Sequence, residues 1–301
     1  MLWAGYSQVT RAAGYCLLLA MTASGVERVL VHGHRGARAM RPENTLPAFE
    51  YAIDVGVDVL ELDMAVTRDD VIVVSHDPIL QPQLCTGPKL PAVIHELTLE
   101  ELRQYDCGLK NAKFPKQQAV PGTKVPTLDE VFALAPRGKF GFNIETKIFR
   151  DHPAYTPSPE RFVELVLESI RKHHLESRVI LQSFDFRTLH VAKELAPEIR
   201  RSALYAGIPK DFVAIAHDAD ATIISPNYLL VTKRKVEACH RAGIEVVPWT
   251  ANKPRDWNRL VNAGVDAIIS DDPAALIQYL KAHQPKQPTL AKVRRLFRSS
   301  R

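Results

Sequence analysis

Short runs of β-branched and aliphatic residues alternate with helix-patterned stretches along most of this chain, as parallel strands joined by crossover helices require. Strands are expected at 28–33, 57–64, 140–145, 178–183, 199–205, 221–225, 244–249 and 266–270. Eight such strands suffice to close a (β/α)8 barrel, the TIM-barrel fold of the α/β class. The chain's 301 residues suit one such domain, and no long linker or low-complexity tract divides them. Between the strands, Asn44 or Thr45 can cap a helix over 46–55. Phe162, Leu165, Val166 and Ile170 mark one face of another, and Gly243 and Gly264 stop helices ahead of the last two strands.

One run breaks the alternation. Val71-Ile72-Val73-Val74 follows the second strand after only Arg68-Asp69-Asp70, too short a link for a parallel crossover, so it must fold back as an antiparallel hairpin partner. A tight turn centred between Arg68 and Asp69 pairs His76 with Glu61, and one centred between Asp69 and Asp70 pairs it with Asp63. The stretch from Pro78 to Pro126 is rich in Pro, Gly and Lys and holds one expected helix, 99–105. This hairpin and loop insertion after the second strand is expected to run over one barrel face and shape substrate access.

Barrel active sites lie at the carboxyl ends of the strands, where His34, Glu145, Ser183, Trp249 and Ser270 fall. Glu61 and Asp63 are two apart on one strand and share its inner face, while Leu62 points into the helix layer. Inward carboxylates are costly without a cation or hydrogen bonds, and Glu145 on the next barrel strand adds a third oxygen donor. An all-oxygen set suits Mg2+ or Ca2+ over zinc or copper. A competing account pairs these acids with Arg35 and Lys147 in buried salt bridges. Convergence with two histidines favours a reactive site.

Such a set matches the demands of phosphodiester hydrolysis, which must neutralise non-bridging oxygens, supply a nucleophile and protonate a leaving alkoxide. Arg35 offers a planar fork for two phosphate oxygens and Lys147 a point charge. His34 and His76 make an acid and base pair, in either order. His32, on the same face as His34 but deeper, reads as a satisfied core histidine. Glu43 and Asn44 read first as structural, with Asn44 capping the helix; Asp77 either orients His76 or stabilises the turn at Pro78. Phe184 and Trp249 taken singly read as ordinary core.

In order, His34-Arg35-Gly36, Pro42-Glu43-Asn44-Thr45, Glu61-Leu62-Asp63, His76-Asp77, Glu145-Thr146-Lys147, Gln182-Ser183-Phe184 and Trp249-Thr250-Ala251-Asn252 resemble the glycerophosphodiester phosphodiesterase family, from about Val29 to Tyr279. The resemblance implies metal-dependent hydrolysis of glycerophosphodiesters to sn-glycerol 3-phosphate and an alcohol, as part of lipid and glycerol metabolism. It implies His34 and His76 as acid and base, and Glu61, Asp63 and Glu145 as ligands of one divalent cation, Ca2+ or Mg2+. The segments at Phe184 and Trp249 are similar to those lining the family's alcohol pocket, so with Arg35 and Lys147 they are substrate-binding candidates. The chain departs from the family after His76-Asp77, where Leu84-Cys85-Thr86-Gly87 stands in place of an Arg-Thr-Thr-Asn-Gly segment. That departure bears on access or head-group recognition and leaves the catalytic series intact. Two alternatives are a lysophospholipase D acting on membrane lipids and a non-catalytic binder of phosphorylated ligands, which has no need of a proton-transfer pair.

Arg11 followed by the mostly apolar 12–23 and the small Ala23-Ser24-Gly25 reads as a signal peptide over 1–25, implying a periplasmic or secreted protein, with a cytoplasmic one as the alternative. The barrel domain is then 26–284. Cleavage would remove Cys16, and Cys85 and Cys107 can pair outside the cytosol, leaving Cys239. No Cys-x-x-Cys spacing suggests thiolate metal binding. The net charge of +5 is mild, and Lys292, Arg294, Arg295, Arg298 and Arg301 crowd a basic tail over 285–301. That tail is expected to be solvated, with weak contact to an anionic membrane through Leu296-Phe297 as the other option. No aromatic-interleaved basic stripe or nucleic-acid motif occurs, so the partner expected is a small-molecule diester and no nucleic acid; the oligomeric state is open.

Overall fold

The computed structural model describes residues 28–283. The proposed leader, Cys16 and the basic tail fall outside the described residues. Eight parallel strands follow one another: β1 (Leu30–Gly33), β2 (Val59–Val66), β3 (Gly141–Thr146), β4 (Val179–Ser183), β5 (Arg200–Tyr205), β6 (Ile223–Pro226), β7 (Glu245–Val246) and β8 (Ala267–Ser270). Each pairs with its neighbour from β7 back to β1, and β1 pairs with β8. Single hydrogen bonds close the ring between the last two, from Asp266 N–H to the Val246 carbonyl (3.1 Å) and from Ile269 N–H to the Pro248 carbonyl (3.0 Å). β7 is shorter than the expected 244–249 because Pro226 on the β6 side and Pro248 on the β8 side have no amides to donate to the ladders.

Strand alternation divides the side chains. On β2, Leu60, Leu62 and Met64 join the core between sheet and helices with Phe49, Phe132 and Phe162. The inner face instead carries Glu61 and Asp63, with Asn143, Glu145, Gln182, Ser202 and Ser225 from later strands, all buried. A small apolar plug of Ile180, Ile223, Val247, Ala267 and Ile269 fills the rest of the lumen and packs against Trp249. His32 is buried, as expected, but its Nδ1 has no hydrogen-bond partner among the described residues, so it is not the satisfied core histidine anticipated. Burial, with the charge of Arg200, lowers its pKa to about 3 and keeps the ring neutral.

The return strand Ile72–Val74 is antiparallel to β2, with a register that matches neither expected alternative. The link is an odd three-residue loop: Asp70 N–H bonds the Thr67 carbonyl, Thr67 N–H bonds the Val71 carbonyl, and Asp70 sits at φ 60°. Pairing therefore centres on Asp69, with Val66 opposite Ile72 and Met64 opposite Val74. The ladder ends where Ser75 N–H reaches the Asp63 carbonyl at 2.9 Å, and His76 arrives at the barrel mouth from outside the sheet.

The excursion that follows has its own core of Leu80, Ile94, Leu102, Tyr105 and Val125 on Ala65 and Val73. A disulfide joins Cys85 to Cys107, while Cys239 is free and buried. Its helix is Leu99–Leu102, capped by Thr98 and Glu101 in a reciprocal capping box, and stops short of the expected 105.

The turn after β1 shows why glycine follows His34-Arg35. Gly36 has φ 79°, and a Cβ there would sit 2.7 Å from the Ala48 backbone carbon. Its N–H is shared between the carbonyls of Gly33 and Glu61. The turn thus presses against the helix Leu46–Val55 while holding His34 and Arg35 over β2. Thr45, not Asn44, occupies that helix's N-cap position, and its hydroxyl bonds the Pro42 carbonyl instead of capping. Gly36→Ala combines a left-handed φ with a backbone clash and should cost about 3 kcal/mol. Urea denaturation should show the lowered midpoint; an unchanged midpoint would mean the turn relaxes freely.

Candidate active site

Glu61 and Asp63 on β2 and Glu145 on β3 each offer a carboxylate oxygen, all within 4.8 Å of one another and all buried. Their surroundings treat them unequally. Asp63 is held by Arg35 Nε at 3.2 Å, Lys147 Nζ at 3.5 Å and an N–H of the Asn44 side chain at 2.9 Å. Burial opposes its charge, but Arg35, Lys147, His76 and the Asn44 bond hold its pKa well below the usual carboxylate range. Glu145 has Lys147 at 3.0 Å, yet burial dominates and pushes it up to about 7. Burial and the charge of Asp63 also raise Glu61.

Glu61 accepts hydrogen bonds from Gln182 Nε2 at 2.8 Å and from the Arg35 backbone N–H at 2.9 Å. No Lys or Arg side chain among the described residues forms a salt bridge with it; its ion-pair contact is His34 Nε2 at 4.0 Å. Salt bridges therefore account for Asp63 and leave the triad under-compensated. Three clustered, partly uncompensated carboxylates fit a hard divalent cation, with Glu61, Asp63 and Glu145 as the residues that would hold it.

The two histidines flank this cluster, each beside a carboxylate. His34 Nδ1 lies 2.5 Å from Asp271 Oδ1, which turns Nε2 toward the cleft and Glu61. Burial lowers the His34 pKa, with Arg35 assisting against the opposing Asp271 bond, so the neutral ring is favoured. Asp271 is itself fixed by an N–H from the Asn252 side chain at 2.7 Å. His76 is one-third exposed, and its Nδ1 lies 2.7 Å from Asp77 Oδ1, so Asp77 orients the histidine. Around the rim, Glu43 pairs with both Arg35 and Arg38.

A cleft of about 200 Å³ brings His34, Arg35, Glu61, Asp63, His76, Glu145, Lys147, Phe184 and Trp249 together. Phe184 and Trp249 form one wall, edge to face at 5.6 Å, with Trp249 Nε1 donating to the Ser225 carbonyl. Phe184 is 47% exposed and is no core residue. Gln182 and Asn44, read as pocket and cap, instead tether Glu61 and Asp63. Asp271 was missed, although it directly follows the last strand at the barrel end where reactive groups collect.

The sequence model of the glycerophosphoryl diester phosphodiesterase family matches residues 34–275. The chain belongs to this family. A glycerophosphodiester phosphodiesterase of Caldanaerobacter subterraneus subsp. tengcongensis is 34% identical over 255 residues, covering 84% of this chain and 98% of the relative. A solved Silicibacter pomeroyi structure, provisionally assigned as a glycerophosphoryl diester phosphodiesterase, is 30% identical with a TM-score of 0.78 over 85% of this chain and 94% of that one. An Oleispira antarctica phosphodiesterase solved with its product sn-glycerol-3-phosphate is 25% identical, with a TM-score of 0.72 over 84% and 97% of the two chains.

The raised carboxyls of this family member make its stability depend on pH. Glu145 titrates at about 7 in the folded protein against 4.5 ordinarily, so the folded state holds the proton more tightly. Its contribution is full below about pH 4.5 and lost as pH rises through about 7. In chelator, the thermal midpoint should fall across this window, and Ca2+ or Mg2+ should restore it at neutral pH. A flat profile with no response to either cation would remove the case for a cation on this triad.

Proposed function

We propose that this phosphodiesterase hydrolyses glycerophosphodiesters to sn-glycerol 3-phosphate and an alcohol, using a divalent cation and the His34/His76 pair. The observation that carries this reading is the carboxylate triad lying in one cleft between two carboxylate-oriented imidazoles. When bound by Glu61, Asp63 and Glu145, Ca2+ or Mg2+ supplies charge neutralisation at the phosphate and orients the attacking oxygen. Arg35 and Lys147 add positive charge at the non-bridging oxygens. His34, neutral and with Nε2 turned to the cleft, takes the proton of the attacking water. His76 gives a proton to the alkoxide as its P–O bond breaks, so both products leave with their valences filled. Asp271 is the positioning residue for His34, and Asp77 for His76. The aromatic wall of Phe184 and Trp249 packs the carbon face of glycerol. The sn-glycerol-3-phosphate bound by the Oleispira antarctica enzyme supports this product assignment.

Export of the mature protein to the periplasm or medium, after removal of 1–25, belongs to the same proposal and is supported by the Cys85–Cys107 disulfide.

The test is release of glycerol 3-phosphate from a panel of glycerophosphodiesters and lysophospholipids, with Mg2+ or Ca2+ and then with chelator. Release should require the cation, and His34→Ala or His76→Ala should lower kcat by about 10²–10⁴-fold. Asp271→Ala should lower kcat with KM nearly unchanged. Tight binding without turnover across the panel would identify a binding protein instead.

A further inference from the structure

Five large apolar side chains among the described residues are exposed, and they are not scattered evenly. Leu30 opens β1, and Leu195 ends the helix Phe186–Leu195, so both lie at the barrel end away from the cleft. The other three, Phe184 (47%), Ile208 (70%) and Leu229 (69%), follow the carboxyl ends of β4, β5 and β6, on the face where the cleft opens. Single exposed apolar residues are ordinary; three on adjacent loops of one face form a patch.

Contacts tie these loops into one rim. Phe184 meets the ring of Trp249, and the Trp249 carbonyl accepts from Tyr228 N–H at 2.8 Å, one residue before Leu229. Asn227 N–H bonds the Tyr205 carbonyl at 2.8 Å, and the Tyr205 hydroxyl bonds the Ile208 carbonyl at 2.6 Å. The rim is therefore held in place while its apolar tips point outward.

The flanking charge is positive. Lys210, Lys233, Arg234 and Lys253 are exposed on these segments, and none of them makes a salt bridge among the described residues. Of the acids interspersed there, Asp185 is buried under Arg150 and Arg187; Asp211, which caps a helix through Val213 N–H, and Asp256 leave the balance positive. Protruding aliphatic tips within a lysine-rich surround suit an anionic lipid surface better than a protein partner, because protein interfaces are depleted in lysine.

We propose that the Phe184/Ile208/Leu229 rim docks the protein on an anionic lipid bilayer, with the aliphatic tips entering the headgroup boundary and the cleft facing the surface. Docking is independent of the reaction proposed above, since binding is read without turnover.

The experiment is sedimentation of the full chain with vesicles of mixed phosphatidylglycerol and phosphatidylcholine, and of phosphatidylcholine alone, at moderate salt. The wild type should bind the anionic vesicles more tightly. The Ile208→Ser/Leu229→Ser variant should bind them at least about tenfold more weakly. Its thermal midpoint and its kcat/KM on a soluble glycerophosphodiester should match the wild type. Lys210→Glu/Lys233→Glu should remove the preference for anionic vesicles. The proposal is overturned if the wild type ignores vesicles, or if the serine variant binds them as the wild type does. It is equally overturned if the serine change abolishes self-association in a protein that binds no vesicles, which would assign the rim to a second copy of this chain.

Discussion

Three carboxylates within 4.8 Å of one another, all buried inside a barrel, are the constraint around which the rest of this structure is arranged. Like charges this close in a medium of low polarity repel strongly, and each also loses its hydration. Asp63 escapes by drawing in Arg35, Lys147 and Asn44. Glu61 has no Lys or Arg salt bridge among the described residues, and Glu145 shares Lys147 with Asp63; burial shifts both toward their neutral forms. The asymmetry is useful: compensating all three with fixed side chains would have left nothing for a cation to do.

β2 is the spine of this arrangement. Its inner face supplies two of the three acids, and its outer face anchors the helix layer through Leu60, Leu62 and Met64. Its far end continues past the barrel to pair with Ile72–Val74 and carry the excursion. His76 is therefore positioned by the same strand that positions the acids it stands over, so a shift of that strand would move both. The return strand is in turn held on its other edge, where Val74 N–H bonds the Pro126 carbonyl. The excursion is thereby closed onto the barrel at both its beginning and its end.

The barrel mouth has two halves of different chemistry. Strands β2 and β3 bring the acids, and the chain around them brings Asp271, the histidines, Arg35 and Lys147; Phe184 and the Trp249 ring, after β4 and β7, line the other side of the cleft. A substrate with an anionic centre and a less polar arm matches that division, because each half offers the complement of one part of it.

Much of this was legible in the residues themselves, wherever the deciding physics is local. Strand parity is a property of neighbouring residues, so Glu61 and Asp63 could be placed on one face and Leu62 on the other. The eight strands follow from periodicity, and the hairpin from a link too short for a crossover. What tertiary structure alone decided are contacts between distant residues and turns whose geometry turns on one residue more or less. His34 finds Asp271 across 237 positions, and Glu61 finds Gln182 across 121. An odd loop centred on Asp69 sets a register that two even-loop alternatives missed. Asn44 has the composition of a cap, but a left-handed backbone at φ 57° turns it toward Asp63. Local pattern determines which way a side chain points from its own element; only the closed barrel determines what it meets there.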